Sequence, residues 1–185
     1  MTLTRRQFGG AVSLATFGFL IGCERKQMTP GEAHVQGAKY EVFGVAEAQV
    51  FETLADRLLP GARQAGVAHF VDHQLAAADA DVLLMIRYFS VPKPFSGFYR
   101  GGLTALESAS RRIHGKGFIQ LQPLQQADLI HDMSRDRVVG WQGPPQSFFY
   151  LIVRNDAIDV VYGTVDGFKL LGIPYMPHIS PPAFN

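Results

Sequence analysis

Apolar side chains recur at the spacing of an α-helix through the middle of this chain, and prolines and glycines separate most of the runs. In the first run Val50, Leu54 and Leu58 fall on one helical face, and Pro60 ends the run. Short connections between runs favour antiparallel packing of neighbouring helices. We therefore expect a mostly α fold, a small irregular domain of about six helices. The predicted helices cover residues 46–59, 65–77, 80–90, 99–114, 123–134 and 145–162.

The last predicted helix contains the run 148–153, which is apolar nearly all round a helical surface. Such a helix lies at the centre of a core or is pressed against another surface. Residues 163–185 follow with no helical period, and they include Pro174, Pro177 and two further prolines. Because this stretch is also rich in apolar side chains, we expect a long Pro-rich C-terminal tail that lies on a surface of this chain or of a partner.

The first 22 residues have the pattern of an export signal. Arg5-Arg6 and Phe8 precede an apolar run that extends to Ile21. A short basic segment before an apolar run is typical of secretory signals, and adjacent arginines at this position resemble the twin-arginine motif. We expect residues 1–22 to be a twin-arginine signal that exports a protein already folded.

Cys23, the only cysteine, ends the sequence Leu20-Ile21-Gly22-Cys23, which resembles a lipobox. If the sequence acts as a lipobox, acylation of Cys23 would attach the chain to a membrane. Ordinary cleavage that leaves Cys23 idle and an uncleaved anchor are the alternatives. A single cysteine also excludes an internal disulfide.

Residues 23–45 are mostly polar at first and lack periodicity, so we expect a tether that leads to a domain at 46–185. The chain has 17 basic and 16 acidic residues, and Arg5 and Arg6 are the only charged residues among the first 22. A nearly neutral domain lacks the basic footprint that nucleic-acid binding requires.

Few residues suggest chemistry. His69 and His73 are four residues apart on a predicted helix and could share a metal ion, although two ordinary polar helix positions are the simpler explanation. Asp156 and Asp159 are expected on a solvated face. No phosphate-binding loop, nucleophile elbow or haem-attachment motif is present. We therefore predict no catalytic residue, no metal site and no cofactor held by this chain.

Aromatic residues are concentrated in the predicted loops, the last helix and the tail. Aromatic side chains are favoured anchors of protein interfaces, and they fill cores equally well. Both roles remain open. The candidate interface residues are Phe95, Phe98, Tyr99, Trp141, Phe148, Phe149, Tyr175 and Phe184.

Several short segments, in this order, resemble the gluconate 2-dehydrogenase subunit 3 family. Together these segments cover about residues 46–176, and the twin-arginine leader that precedes them supports the resemblance. The segments are Phe51-Glu52-Thr53-Leu54-Ala55-Asp56-Arg57-Leu58-Leu59-Pro60, Gly61–Val67, Phe70-Val71-Asp72, Tyr99–Leu106, Leu124-Gln125-Gln126, Phe148-Phe149 and Gly167–Pro174.

The resemblance implies a small, helical accessory subunit of a periplasmic flavin-dependent sugar, sugar-acid or polyol dehydrogenase. A large flavoprotein subunit with FAD would carry out the oxidation, and a multihaem cytochrome c subunit with haem c could accept the electrons. This chain would stabilise the large subunit and bring it to the twin-arginine translocase. It would be located in the periplasm, attached to the membrane through Cys23 or through the complex. The alternative is a stand-alone periplasmic lipoprotein that binds a metal at His69 and His73, or a small ligand.

Overall fold

The computed structural model describes residues 16–174, in which seven α-helices and one two-stranded sheet are found. This confirms the mostly helical fold. Two short 3₁₀ helices, Met85–Tyr88 and Phe118–Gln120, complete the described elements. The strands and helices are β1 Phe17–Ile21, β2 Glu24–Met28, α1 Pro30–Val35, α2 Val45–Leu58, α3 Val67–Ala76, α4 Ser96–His114, α5 Pro123–Met133, α6 Gln146–Tyr162 and α7 Val165–Leu170.

Helix α6 is the centre of the domain. It contacts α2, α3, α4, α5, α7 and the 3₁₀ helix at Met85–Tyr88. Its side chains Phe149, Ile152 and Val153 are fully buried, as expected for a helix with an apolar run of this length. Helix α4 approaches it closely at Gly102, where a Cβ atom would lie 2.2 Å from the Phe149 ring. Of the two positions expected for this helix, the centre of the core is the one observed.

The prediction of a helix at 80–90 is wrong. Residues 80–81 belong to a turn, residues 82–84 form no regular element, and the short 3₁₀ helix Met85–Tyr88 follows. Val82, Leu84 and Ile86 are buried whereas Leu83 is 56% exposed, which is the two-residue period of an extended chain. The Leu83 backbone N–H donates to Gln74 Oε1 over 2.6 Å, so a side chain of α3 replaces the partner that a helix would supply.

A second difference lies in the predicted tail, where α7 forms at Val165–Leu170. The Thr164 hydroxyl accepts a hydrogen bond from the Gly167 N–H, which caps the start of this helix. Only the part of the tail up to residue 174 belongs to the described residues. Tyr175 and Phe184, both predicted at an interface, lie outside them.

Residues 24–45, where the sequence predicts a tether, are folded against the domain. Strand β2 pairs antiparallel with β1, and Thr29 and Glu32 cap α1 reciprocally. Helix α1 packs on α3, where Gly66 has a positive φ of 79° and a Cβ atom would lie 2.0 Å from the Pro30 carbonyl oxygen. The polar residues of this segment lack helical periodicity because some of them cap α1 and others form strand β2.

The buried carboxylate of Asp72 fixes the end of the same segment. It accepts hydrogen bonds from the backbone N–H groups of Glu41, Val42 and Phe43, over 2.6, 2.9 and 2.6 Å. The Phe43 side chain enters the main core behind these bonds. The segment before α2 is therefore attached to α3 at two places. Pro30 packs against Gly66 at the start of α3, and residues 41–43 bind Asp72.

Strand β1 is formed by the end of the apolar run that was predicted as part of the signal. Phe19 in this strand is only 3% exposed, and its ring contacts His69 and His73 of α3. Arg5, Arg6 and Phe8 lie outside the described residues. Within residues 16–174 no helix is both long and apolar enough to cross a bilayer.

Candidate functional site

A cluster of polar side chains lies where α1, α2 and α3 meet. His34 comes from α1, Glu52 from α2 and His69 from α3, and each offers one ligand atom within 4.8 Å of the others. Glu52 and His69 are buried, at 7% and 4% exposure. The side chain of His34 is 28% exposed and forms the side of the cluster that faces solvent.

Glu52 is the acidic centre of this cluster. The Tyr40 hydroxyl donates a hydrogen bond to Glu52 Oε1 over 3.0 Å, and His34 Nδ1 lies 3.3 Å from the same oxygen. Arg63 Nε lies 3.7 Å from the other oxygen, Oε2. Burial, followed by the charge of Glu52, raises the pKa of Tyr40 well above its ordinary value, so the phenol remains a proton donor.

His69 is held in one orientation by a backbone carbonyl. Its Nε2 lies 3.1 Å from the Ala38 oxygen, and its ring packs 4.5 Å from the ring of Tyr40. Burial lowers the pKa of His69. The neutral ring donates from Nε2 to Ala38, which leaves a lone pair on Nδ1, and this buried atom has no hydrogen-bond partner among the described residues.

His73 has different surroundings, although it lies one helical turn from His69. Its ring packs 4.9 Å from Phe17 and 5.4 Å from Phe19 of β1, and burial lowers its pKa. In residues 16–174 the potential ligands grouped with His69 are His34 and Glu52, and His73 does not belong to that group. The structure therefore does not supply the predicted histidine pair with a third ligand.

Asp156 is the largest departure from the expected solvated face, because it is completely buried. The Tyr99 hydroxyl donates to Asp156 Oδ2 over 2.8 Å, whereas Oδ1 has no partner among the described residues. Burial raises the pKa of Asp156 to about 8. The carboxyl is therefore largely protonated at neutral pH. Asp159, one turn later, is exposed as expected.

Four of the predicted interface residues belong to the core. Phe95, Phe98, Tyr99 and Phe149 are between 0% and 9% exposed, so their side chains are not offered to a partner, and their assignment to an interface is wrong. The reason is that the first turn of α4 packs against α6, where the ring centroids of Phe98 and Phe149 lie 5.8 Å apart. Of the described candidates, only Trp141 and Phe148 are partly exposed.

The structure reveals other exposed apolar residues near Phe148. Tyr88 and Phe89 are 79% and 40% exposed, and the ring of Phe89 lies 5.0 Å from that of Phe148. Leu151, three residues after Phe148 on α6, is 37% exposed and shares its helical face. We call Tyr88, Phe89, Phe148 and Leu151 the α6 apolar patch. The incorrect helix at 80–90 hid the contributions of Tyr88 and Phe89.

An open groove of about 600 Å³ lies between the start of α1 and the end of α6. Phe17, Phe70, Val160 and Leu170 contribute apolar walls, and Asp159 is among the polar residues that line it. Elsewhere, Cys23 is exposed at the turn between β1 and β2, a position accessible to a modifying enzyme. The sequence predicts neither the groove nor the turn that holds Cys23.

Comparison with known proteins identifies the helical part of the chain. The family model for gluconate 2-dehydrogenase subunit 3 matches residues 45–172, from the first residue of α2 to just beyond α7. No curated protein and no solved structure matches the chain. The match covers more than half of the sequence and agrees with the resemblance seen in its segments. The chain therefore belongs to the gluconate 2-dehydrogenase subunit 3 family, and it is an oxidoreductase subunit that associates with a larger dehydrogenase complex.

Proposed function

We propose that this chain is a non-catalytic accessory subunit of a flavin-dependent sugar, sugar-acid or polyol dehydrogenase. Its role is to stabilise the large flavoprotein subunit and to carry that subunit's export signal. The observation that carries the proposal is the family match over residues 45–172, which includes every helix from α2 to α7. FAD belongs to the large subunit, and haem c belongs to a cytochrome subunit where one is present.

The α6 apolar patch is the surface that we assign to the large subunit. Tyr88 and Phe89 expose aromatic area beside the central helix, and aromatic residues contribute much of the binding energy of protein interfaces. A large subunit bound to α6 would be supported by the most deeply packed helix of the domain. Contact there would stabilise both partners.

Export is assigned to the leader, through Arg5, Arg6 and Phe8. The twin-arginine route carries folded proteins, so a large subunit bound to this chain would cross with it. Cys23 is the proposed site of acylation, since it follows the lipobox residues and is exposed at the β1–β2 turn. The complex would then be held at the periplasmic side of the membrane.

The test is to express the large flavoprotein subunit together with either the wild-type chain or an Arg5→Lys/Arg6→Lys variant. We expect dehydrogenase activity in the periplasm with the wild-type chain, and activity retained in the cytoplasm with the variant. An Arg111→Lys/Arg112→Lys variant is the matched control, because these adjacent arginines lie on the exposed side of α4. Normal periplasmic activity with the Arg5/Arg6 variant would overturn the export role.

A further inference from the structure

The cluster of His34, Glu52 and His69 has the composition of a metal site. Two imidazoles and one carboxylate are a ligand set that Zn²⁺ and other divalent first-row transition ions accept. The three ligand atoms lie within 4.8 Å of one another, so one ion could reach all three with small side-chain adjustments. The three residues come from three separate helices, which converge at this point.

The state of His69 points to a ligand more directly. Its Nε2 is engaged by the Ala38 carbonyl at 3.1 Å, and its buried Nδ1 has no partner among the described residues. Metal-binding histidines commonly donate their second ring N–H to a carbonyl oxygen, which fixes the tautomer and orients the ring. A buried nitrogen with no partner is costly unless something binds it.

Glu52 is oriented in the manner of a carboxylate ligand. Tyr40 donates to its Oε1 over 3.0 Å, a contact that would remain as an outer-shell hydrogen bond beside a bound ion. His34 Nδ1 lies 3.3 Å from the same oxygen. Because the His34 side chain is 28% exposed, this side of the cluster provides a path for an ion and for a water ligand.

One charge opposes a cation here. Arg63 Nε lies 3.7 Å from Glu52 Oε2 and lacks a hydrogen bond among the described residues. Its Nη2 donates to Thr53 Oγ1 over 2.8 Å, and the side chain is 40% exposed. The guanidinium can therefore move towards solvent, and an entering ion would compete with it for Glu52.

We propose that His34, Glu52 and His69 bind one divalent transition-metal ion of the Zn²⁺ type, with water at the remaining position. The ion would connect α1 to α2 and α3, and thereby attach the N-terminal segment to the helical domain. The proposal departs from the sequence-based expectation of no metal site and from the pairing of His69 with His73. It concerns this chain alone and does not depend on the proposed partner.

The experiment uses the full chain, treated with a chelator and then titrated with ZnCl₂ alone. Isothermal titration calorimetry gives the affinity and stoichiometry, and thermal unfolding gives the change in Tm. We expect one zinc ion per chain and a higher Tm with zinc. Binding should weaken by more than about 100-fold in His34→Ala and in Glu52→Gln, since each loses a ligand. His34→Ala alters a partly exposed side chain, so it provides the test if Glu52→Gln does not fold.

His73→Ala is the matched control. His73 lies on the same helix and also has a buried Nδ1 without a partner among the described residues, but it does not belong to the cluster. Zinc affinity unchanged in His73→Ala and lost in His34→Ala would support the proposal. No binding to the wild-type chain, equal binding by His34→Ala, or loss of binding in His73→Ala would each overturn it.

Arg63→Gln tests the role of Glu52 by a change that should strengthen zinc binding, whereas the other substitutions should weaken it. Removal of the guanidinium frees a carboxylate oxygen that an ion can use, so we expect severalfold tighter zinc binding. Arg63 Nε lies 3.7 Å from Glu52 Oε2, and Arg63 Nη2 donates to Thr53 Oγ1. The substitution therefore removes a charge beside Glu52 without removing a hydrogen bond to either histidine. Weaker or unchanged zinc binding by Arg63→Gln would show that Glu52 is not a ligand.

Discussion

Tyr99 on α4 donates a hydrogen bond to Asp156 on α6 over 2.8 Å, and neither side chain is exposed. Burial raises the pKa of Asp156 to about 8. Burial, together with the charge of Asp156, also raises the pKa of Tyr99. The pair therefore joins two central helices through a carboxyl that is largely uncharged at neutral pH.

The first prediction concerns pH. The unfolded chain releases the Asp156 proton near pH 4, whereas the folded chain keeps it until about pH 8. The stability contribution of this group is therefore fully present below about pH 4 and is lost as the pH rises through about 8. Its slope is up to about 1.4 kcal/mol per pH unit. Asp156→Asn cannot ionise, so we expect urea unfolding of this variant to lose that slope and to show a more stable protein than wild type at pH 8.

Asp128→Asn is the control for this measurement, because Asp128 is exposed on α5. Its unfolding should follow the pH dependence of the wild-type chain. An Asp156→Asn variant with the wild-type slope between pH 4 and pH 8 would show that Asp156 is ionised in the folded state.

The second prediction concerns Asp72, which accepts three backbone N–H groups from residues 41–43. Asp72→Asn replaces one acceptor oxygen by an NH₂ group and removes the charge, so at least one of these N–H groups, which are partly or fully buried, loses its partner. Each unsatisfied buried group costs about 1–3 kcal/mol. We expect a loss of at least about 2 kcal/mol in the free energy of unfolding. Faster hydrogen exchange at residues 41–43 should accompany the loss, and wild-type exchange rates there would contradict the role of this carboxylate.

The third prediction tests the close contact between α4 and α6. A Cβ atom on Gly102 would lie 2.2 Å from the Phe149 ring, whereas a Cβ atom on Gly97 of the same helix would meet nothing within 4 Å. Gly102→Ala should therefore destabilise the fold by about 1–3 kcal/mol. Gly97→Ala should be neutral or stabilising by up to about 1 kcal/mol. Denaturant unfolding distinguishes them, and equal effects of the two substitutions would contradict the packing.

The helices that the sequence predicts well are those whose packing follows a single period. In α4 the buried residues recur every three to four positions, so residues such as Leu103 and Leu106 mark the buried face directly. The stretch around Leu84 was predicted incorrectly because neighbouring apolar residues fit both a helix and an extended chain. Burial of alternate residues there is a result of tertiary packing, which a short apolar run cannot reveal.

The polar cluster was beyond sequence reasoning for a different reason. His34, Glu52 and His69 lie on three elements, and their spacing along the chain follows no motif. His34 also fell within a predicted tether, and Glu52 within an apolar run where it resembled an ordinary helix residue. The sequence marks His69 only through its spacing from His73. The convergence of α1, α2 and α3 is what makes these residues neighbours, and only the fold provides it.

The fourth prediction tests the α6 apolar patch and depends on the proposed function. Tyr88→Ala/Phe89→Ala removes two exposed aromatic side chains and should leave the fold of the isolated chain intact. We expect the affinity for the large subunit to fall by at least about tenfold. The measurement is co-purification followed by titration of the two purified subunits. Ile113→Ala, which alters a 52% exposed side chain of α4, is the control, and equal affinity of both variants would exclude the patch as the interface.

The last prediction concerns strand β1, which would be lost if residues 1–22 were removed as an export signal. In the described structure β1 pairs with β2 from Phe17 to Ile21, and Phe19 packs on His69 and His73. A chain that begins at Cys23 leaves β2 unpaired and exposes the apolar surface around Met28 and Phe70. We expect this shorter chain to bind the dye ANS more strongly and to unfold at a lower urea concentration than the full chain. Mass spectrometry of the periplasmic protein then decides which form occurs in the cell. A mature chain starting at Cys23 with unchanged dye binding and unfolding would mean that β1 contributes nothing to the fold.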